Sequence, residues 1–155
     1  MHNKIFSREK DLYFVAVKVF LEDGKGNLLI TKDIFGDWDL PGGRLREIDF
    51  KVPLEKVLTR KMKEELGATL KYTLGEPVVF MRHERNETLL DNKKQKMRIF
   101  AVGYKALYKS GKIKLGTQHV EYQWVDVKKF KPEKYFTGGW LKGVREYQLL
   151  ARSKK

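Results

Sequence analysis

At 155 residues, with 41% hydrophobic and 12% aromatic residues, the chain is the size of one domain and has enough apolar material to fill one core. Its 33 Lys and Arg against 20 Asp and Glu give a net charge of +13, which favours polyanionic partners such as nucleotides, RNA or phosphorylated metabolites; a solvated lysine-rich surface gives the same number. Zero cysteines exclude a disulfide framework, a thiol nucleophile and a thiolate metal site, and leave oxygen-ligated metals open.

Residues 1–6 carry no long apolar run, and no stretch approaches the roughly 20 apolar residues of a membrane span. A single cytoplasmic domain over residues 1–155 is expected, without membrane contact, with a polar arm at 1–11 and a basic tail at 152–155. Residues 12–21 are β-branched and aromatic, which suits a strand buried on most of both faces. Gly24 and Gly26 supply a tight reversal at 23–27, and residues 28–31 return as the second strand of a hairpin. The segment 32–40 holds Phe35, Trp38 and Asp39 before Pro41-Gly42-Gly43 forces an abrupt turn. Aromatics so placed either stack on a planar ligand or close an edge of the core.

A helix is predicted from near Pro53, which suits a first helical position, to Gly67, which suits a C-terminal cap. Residues 70–74 and 77–81 read as strands, 82–96 as a polar connection and 97–108 as a long strand. A turn at 109–112, a strand at 120–125 and a closing helix at 140–151 complete the chain. Strands on both sides of one central helix, with another helix at the end, predict an α+β or layered α/β/α domain around a mixed sheet.

On a helical wheel at roughly 100° per residue, Leu54, Leu58, Met62 and Leu66 define the face turned to the sheet. Glu65 falls inside that apolar arc, Lys61 at its edge and Glu64 further round. A carboxylate aimed at the core is costly unless a cation compensates it. Two readings follow. In one, Lys61 pairs with Glu65 and Arg60 with Glu64 at i, i+4 spacing, each pair worth a few tenths of a kcal/mol at most. In the other, both glutamates face carbonyls of the glycine turn and offer oxygen ligands to Mg²⁺ or Mn²⁺.

Leu40-Pro41-Gly42-Gly43, Arg60, Met62, Glu64-Glu65 and Gly67 resemble the Nudix box, G-x5-E-x7-R-E-U-x-E-E-x-G-U, where U is a bulky aliphatic residue. Trp38-Asp39 before it and Tyr122-Gln123-Trp124-Val125 after it are similar to what that family places at matching points, so the resemblance spans residues 12–126. It implies a Nudix (MutT-type) α/β/α sandwich whose central helix binds metal. It also implies a hydrolase that cleaves a pyrophosphate bond in a nucleoside diphosphate derivative with Mg²⁺ or Mn²⁺. Residue by residue, it implies Glu64, Glu65 and the Gly42 carbonyl as metal ligands, Arg60 as the partner that orients the glutamates, and Arg44 as a basic residue near the phosphates. Glu121 is implied as an additional carboxylate ligand, with Glu84 and Glu87 as rivals.

The box departs from the pattern twice. Gly43 and Arg60 enclose 16 residues where the pattern has 13, so its first acid is Asp49 by counting forward, or else Glu47. Lys61 stands where the pattern has the Glu of Arg-Glu, a residue that in several members binds metal or serves as general base. A charged ammonium accepts no proton and competes with metal for Glu65. Three outcomes stay open: the base comes from Glu121 or Glu84; Lys61 contacts the substrate phosphates; or the domain binds RNA or a phosphorylated ligand without hydrolysing it. Phe35, Arg44 and Lys61 are the candidate substrate contacts, and segments 32–39, 82–96 and 136–139 are expected to form the selecting pocket. His2, His83 and His119 lack ligand spacing and read as surface histidines, and Gly24-Lys25-Gly26 is not a phosphate loop.

Overall fold

The computed structural model describes residues 11–154. His2 and the expected arm, apart from Asp11, lie outside them. The first hairpin consists of β1 (Phe14–Glu22) and β2 (Asn27–Asp33), turned by the Asp23 side chain, whose Oδ1 accepts the Lys25 and Asn27 N–H groups at 2.8 and 2.9 Å. Five further strands are β3 (Trp38–Asp39), β4 (Gly42–Arg44), β5 (Lys71–Thr88), β6 (Lys94–Ser110) and β7 (His119–Asp126). They form one mixed sheet in the order β3-β2-β1-β6-β5, with β4 also on β1 and β7 also on β2. The β1–β6 pairing is parallel and the others are antiparallel.

Alternation along β1 builds a core on each face. Val17, Val19 and Leu21 pack with Val57, Leu58, Met62 and Leu66 of α1 (Leu54–Leu66). Ala16 and Phe20 pack with Val144 and Tyr147 of α2 (Gly138–Ser153). Successive strand residues point to opposite faces, so a run apolar at nearly every position needs a helix on each side. The result is the expected α/β/α sandwich around a mixed sheet. No helix among the described residues is long and apolar enough to cross a membrane.

Residues 70–74 and 77–81 belong to a single strand, whose pairing register shifts around Pro77. Residues 82–96 are not a connection: β5 runs on to Thr88 and returns as β6 from Lys94. This arm is held by backbone pairing and by charges across the strands, with Glu84 3.1 Å from Arg98 and 3.3 Å from Lys96. The expected basic tail is helical through Ser153, and Arg152 Nε donates to the Lys128 carbonyl at 2.9 Å.

The glycine turn takes its place from a parting of the first hairpin. Beyond the Glu22–Leu28 pair, β1 turns from β2 to β4 and matches Lys18 with Gly42 and Val17 with Gly43. The fit is close: Gly42 has φ of +129°, and a methyl group there would lie 2.0 Å from the Val17 carbonyl oxygen. At the far end of α1, Gly67 has φ of +95° and its N–H reaches the Lys63 carbonyl at 3.0 Å. The next carbonyls are met from the β6–β7 connection, Leu66 by Lys114 N–H at 2.9 Å and Glu65 by Gly116 N–H at 3.0 Å.

Candidate active site

The buried face of α1 carries Val57, Leu58, Lys61, Met62 and Leu66. Arg60 borders it, with Nη1 2.8 Å from Oδ1 of the buried Asp49 and Nε 3.6 Å from Glu64. The Arg60 guanidinium, helped by the Arg46 backbone N–H, holds the Asp49 carboxyl down at about 2. Asp49, and not Glu47, is thus the acid that anchors the helix arginine.

Glu65 reaches from α1 to the glycine turn, where its Oε2 accepts the Gly42 N–H at 2.9 Å. Gly42 meets this glutamate through its N–H. Burial pushes the Glu65 carboxyl up to about 7, against the opposing pull of the Lys18 ammonium and that N–H. Glu65 makes no ion pair with any described residue, so of the two bridges in the salt-bridge reading Lys61–Glu65 does not form, whereas the Arg60–Glu64 contact does. Glu64 is exposed at the edge of the helix.

Lys61 is 8% exposed and lies across the bare face of Gly43; a methyl group there would sit 3.4 Å from its Nζ. Burial, and then the adjacent Arg60 charge, lower its pKa. Sequence reasoning missed a second buried lysine, Lys18 on β1. Its Nζ is 2.8 Å from Asp39 Oδ2, 3.4 Å from the Leu40 carbonyl and 5.2 Å from the centre of the Trp140 ring. The available signal was a lone lysine inside an apolar strand.

None of the other predicted residues forms an ion pair or hydrogen bond with Glu65, whose one hydrogen-bond partner among the described residues is the Gly42 N–H. Glu121 is 3.9 Å from Lys32 Nζ and accepts from Gln123 Nε2 at 3.2 Å. Glu84 is engaged by Arg98 and Lys96. Arg44 is paired with Glu87 through both Nη atoms, one at 3.1 Å, and its guanidinium lies 4.9 Å from the Phe14 ring. Phe35 is 81% exposed in the turn after β2. Neither described histidine is a plain surface residue. His83 stacks on Trp140 at 4.6 Å and its Nδ1 accepts the Gly139 N–H at 3.2 Å, while the buried Nδ1 of His119 has no hydrogen-bond partner among the described residues.

The three segments expected to form a pocket do converge. A cavity of about 390 Å³ is lined by Trp38 and Asp39 from the first, His83 from the second, Thr137 and Gly138 from the third, and Trp140. Its Asp39 is the partner of the Lys18 ammonium. A larger cavity of about 770 Å³ runs between the β1–β2 turn and the end of β6, with Tyr108 and Trp124 in its wall, and shares no residue with the box. The smaller one, lined by Trp38 and Asp39 just before the box and by residues of all three expected segments, is the candidate substrate pocket.

Nudix hydrolases as a family use divalent metals. The chemistry of the residues here fits a hard cation: Glu65 is a largely buried carboxylate without an ion-pair partner, and Glu64 adds a second carboxylate on the next residue. It does not fit a larger acidic cluster, for no three His, Asp or Glu side chains among the described residues are grouped as metal ligands.

The NUDIX domain family model matches residues 12–141. Nucleoside triphosphatase NudI of Escherichia coli is 28% identical over 98 residues, which are 63% of this chain and 64% of that protein. The chain thus matches just under two thirds of that relative's length. The MutT protein of Methanosarcina mazei Go1 superposes with a TM-score of 0.62 at 23% identity, covering 92% of this chain and 96% of that one. An ADP-ribose pyrophosphatase from Streptococcus suis gives a TM-score of 0.62 at 12% identity, covering 93% and 96%. At these identities the structural likeness is one of fold.

Proposed function

This chain belongs to the NUDIX domain family, and from that premise we propose that it hydrolyses a pyrophosphate bond in a nucleoside diphosphate derivative, with Glu64 and Glu65 as ligands of Mg²⁺ or Mn²⁺. The observation that carries the reading is Glu65, a carboxylate raised to about 7 by burial, tied to the glycine turn by one N–H and lacking an ion-pair partner. Such a group gains most from a bound cation. A divalent ion held there supplies polarisation of phosphoryl oxygens and acidification of a water.

The chain's own residues supply the positioning. Gly42 fixes the rotation of the Glu65 carboxylate, and Asp49 locks Arg60, which steadies Glu64 from one turn earlier. Lys61, over Gly43, presents an ammonium to substrate phosphates. Arg44 joins them only by leaving Glu87, and a base role for Glu121 or Glu84 requires either to leave its cations. The aromatic walls of the 390 Å³ cavity, Trp38 and Trp140, suit a planar base. The relatives named as a nucleoside triphosphatase and an ADP-ribose pyrophosphatase support nucleotides as the substrate class.

The test is product release from a panel of nucleoside triphosphates and nucleoside diphosphate derivatives with Mg²⁺ or Mn²⁺. Glu65→Gln should lower turnover about 100-fold or more while leaving the circular dichroism spectrum unchanged. Full activity in that variant overturns the assignment. A flat panel together with salt-dependent RNA binding would identify a binding module instead.

A further inference from the structure

We infer that Lys61 stands in for a metal ion: the site takes a single divalent ion, on Glu64 and Glu65, and the Lys61 ammonium holds a phosphate oxygen that a second ion would otherwise hold. The inference rests on the metal-dependent reading above and specifies how that site is charged.

Three observations carry it. First, Lys61 is 8% exposed and makes no ion pair or hydrogen bond with any described side chain. Each acid that could neutralise it is otherwise placed. Asp49 belongs to Arg60, Glu64 lies on the exposed side beside Arg60, and Glu65 is turned to the Gly42 N–H. Lys18, the other buried ammonium of the site, has its own counter-charge in Asp39. Asp49 and Glu64 attract Lys61 only from a distance, and a buried ammonium with no anion in contact is costly, so Lys61 is poised for one that arrives with a ligand.

Second, the placement is specific. Lys61 crosses the open face of Gly43 while Glu65 grips Gly42, so an ammonium and a carboxylate sit over consecutive residues of one turn without touching each other. A cation on Glu65 and the ammonium on Gly43 repel unless an anion lies between them. A pyrophosphate group has oxygens for both. Third, the donors suffice for one ion. Two carboxylates with substrate phosphates and water are an ordinary Mg²⁺ environment, and the described residues bring no third acid to the group.

The experiment counts Mn²⁺ by electron paramagnetic resonance on the full chain, with methylenediphosphonate as a pyrophosphate that cannot be cleaved. One Mn²⁺ per chain is expected. Methylenediphosphonate should also bind without metal, about tenfold more weakly in Lys61→Met than in the wild type, and as well in Lys61→Arg as in the wild type. Lys61→Glu should bind Mn²⁺ about tenfold more tightly or take a second ion. Two ions per wild-type chain, none, or metal-free binding unaffected by Lys61→Met would overturn the inference. Circular dichroism of each variant separates these outcomes from misfolding, and Lys61→Met preserves the buried stem. No readout requires turnover: one bound ion without hydrolysis rejects the hydrolase reading alone, and hydrolysis with two ions per chain rejects the inference alone.

Discussion

Glu65→Gln should stabilise the metal-free protein at alkaline pH even as it removes activity. The carboxyl is raised from its ordinary 4.5 to about 7, which corresponds to about 3 kcal/mol of preference for the neutral form. The sign follows from proton binding. Below 4.5 the group is neutral in both the folded and the unfolded chain and costs nothing. Between 4.5 and 7 the unfolded chain ionises while the folded chain keeps its proton, so stability falls as pH rises, and above 7 the full penalty is in place. A glutamine is neutral throughout, and its carbonyl oxygen can still accept the Gly42 N–H. Urea unfolding in the presence of a chelator should therefore show wild type and variant nearly equal at pH 4.5. At pH 8 the variant should lead by up to about 3 kcal/mol. Adding Mn²⁺ should raise the wild type and leave the variant where it was. A variant no more stable than wild type at pH 8, or one equally stabilised at both pH values, would refute the claim that burial sets the state of this carboxyl.

Lys18→Met removes the charge that most opposes burial at Glu65, so the Glu65 carboxyl should titrate above about 7 by carbon-13 NMR; an unmoved titration would deny the electrostatic link. Gly42→Ala should cost about 3 kcal/mol or more in denaturant unfolding, because φ of +129° and the Val17 carbonyl both exclude a methyl group. A cost below about 1 kcal/mol would show that β4 is not held against β1 in this way. Asp49, depressed from 3.8 to about 2 by Arg60, contributes stability that is complete above 3.8 and is lost as pH falls toward 2. Asp49→Asn should be less stable at neutral pH and show a flatter stability profile across that acid range, and an unchanged profile would reject the pairing.

The glutamate helix was legible because its signals are local: leucines at helical spacing, a glycine stop, and a carboxylate inside the apolar arc. The layered fold was legible for a similar reason, since β1 is apolar at nearly every position and demands cover on both faces. The β5–β6 arm was not. Its distal half is built mostly of polar and charged residues that are exposed or half-buried, so no apolar alternation marks it; Glu84 and Arg98 reveal themselves as cross-strand partners only once the register is known. Lys18 was hidden by the opposite effect, a polar residue whose counter-charge, Asp39, lies 21 positions away. The length of the box loop left Asp49 and Glu47 as rivals, and the Arg60 contact separates them. Spacing could offer Lys61 to Glu65 but could not say that Glu65 turns to a backbone N–H across the gap.

The final carbonyls of α1 have a consequence for biosynthesis. A growing polypeptide that has reached Gly111 contains every residue of the glutamate helix, yet lacks Lys114 and Gly116, the donors that receive the Leu66 and Glu65 carbonyls. Gly116 also passes so close to Glu64 that a methyl group on it would lie 2.3 Å from the Glu64 carbonyl oxygen. The acidic pair is thus synthesised before the residues whose N–H groups fasten the end of its helix, Lys114 and Gly116 in the connection into β7. Insertions or fusions in that connection act on the carboxylates through the main chain, without touching substrate.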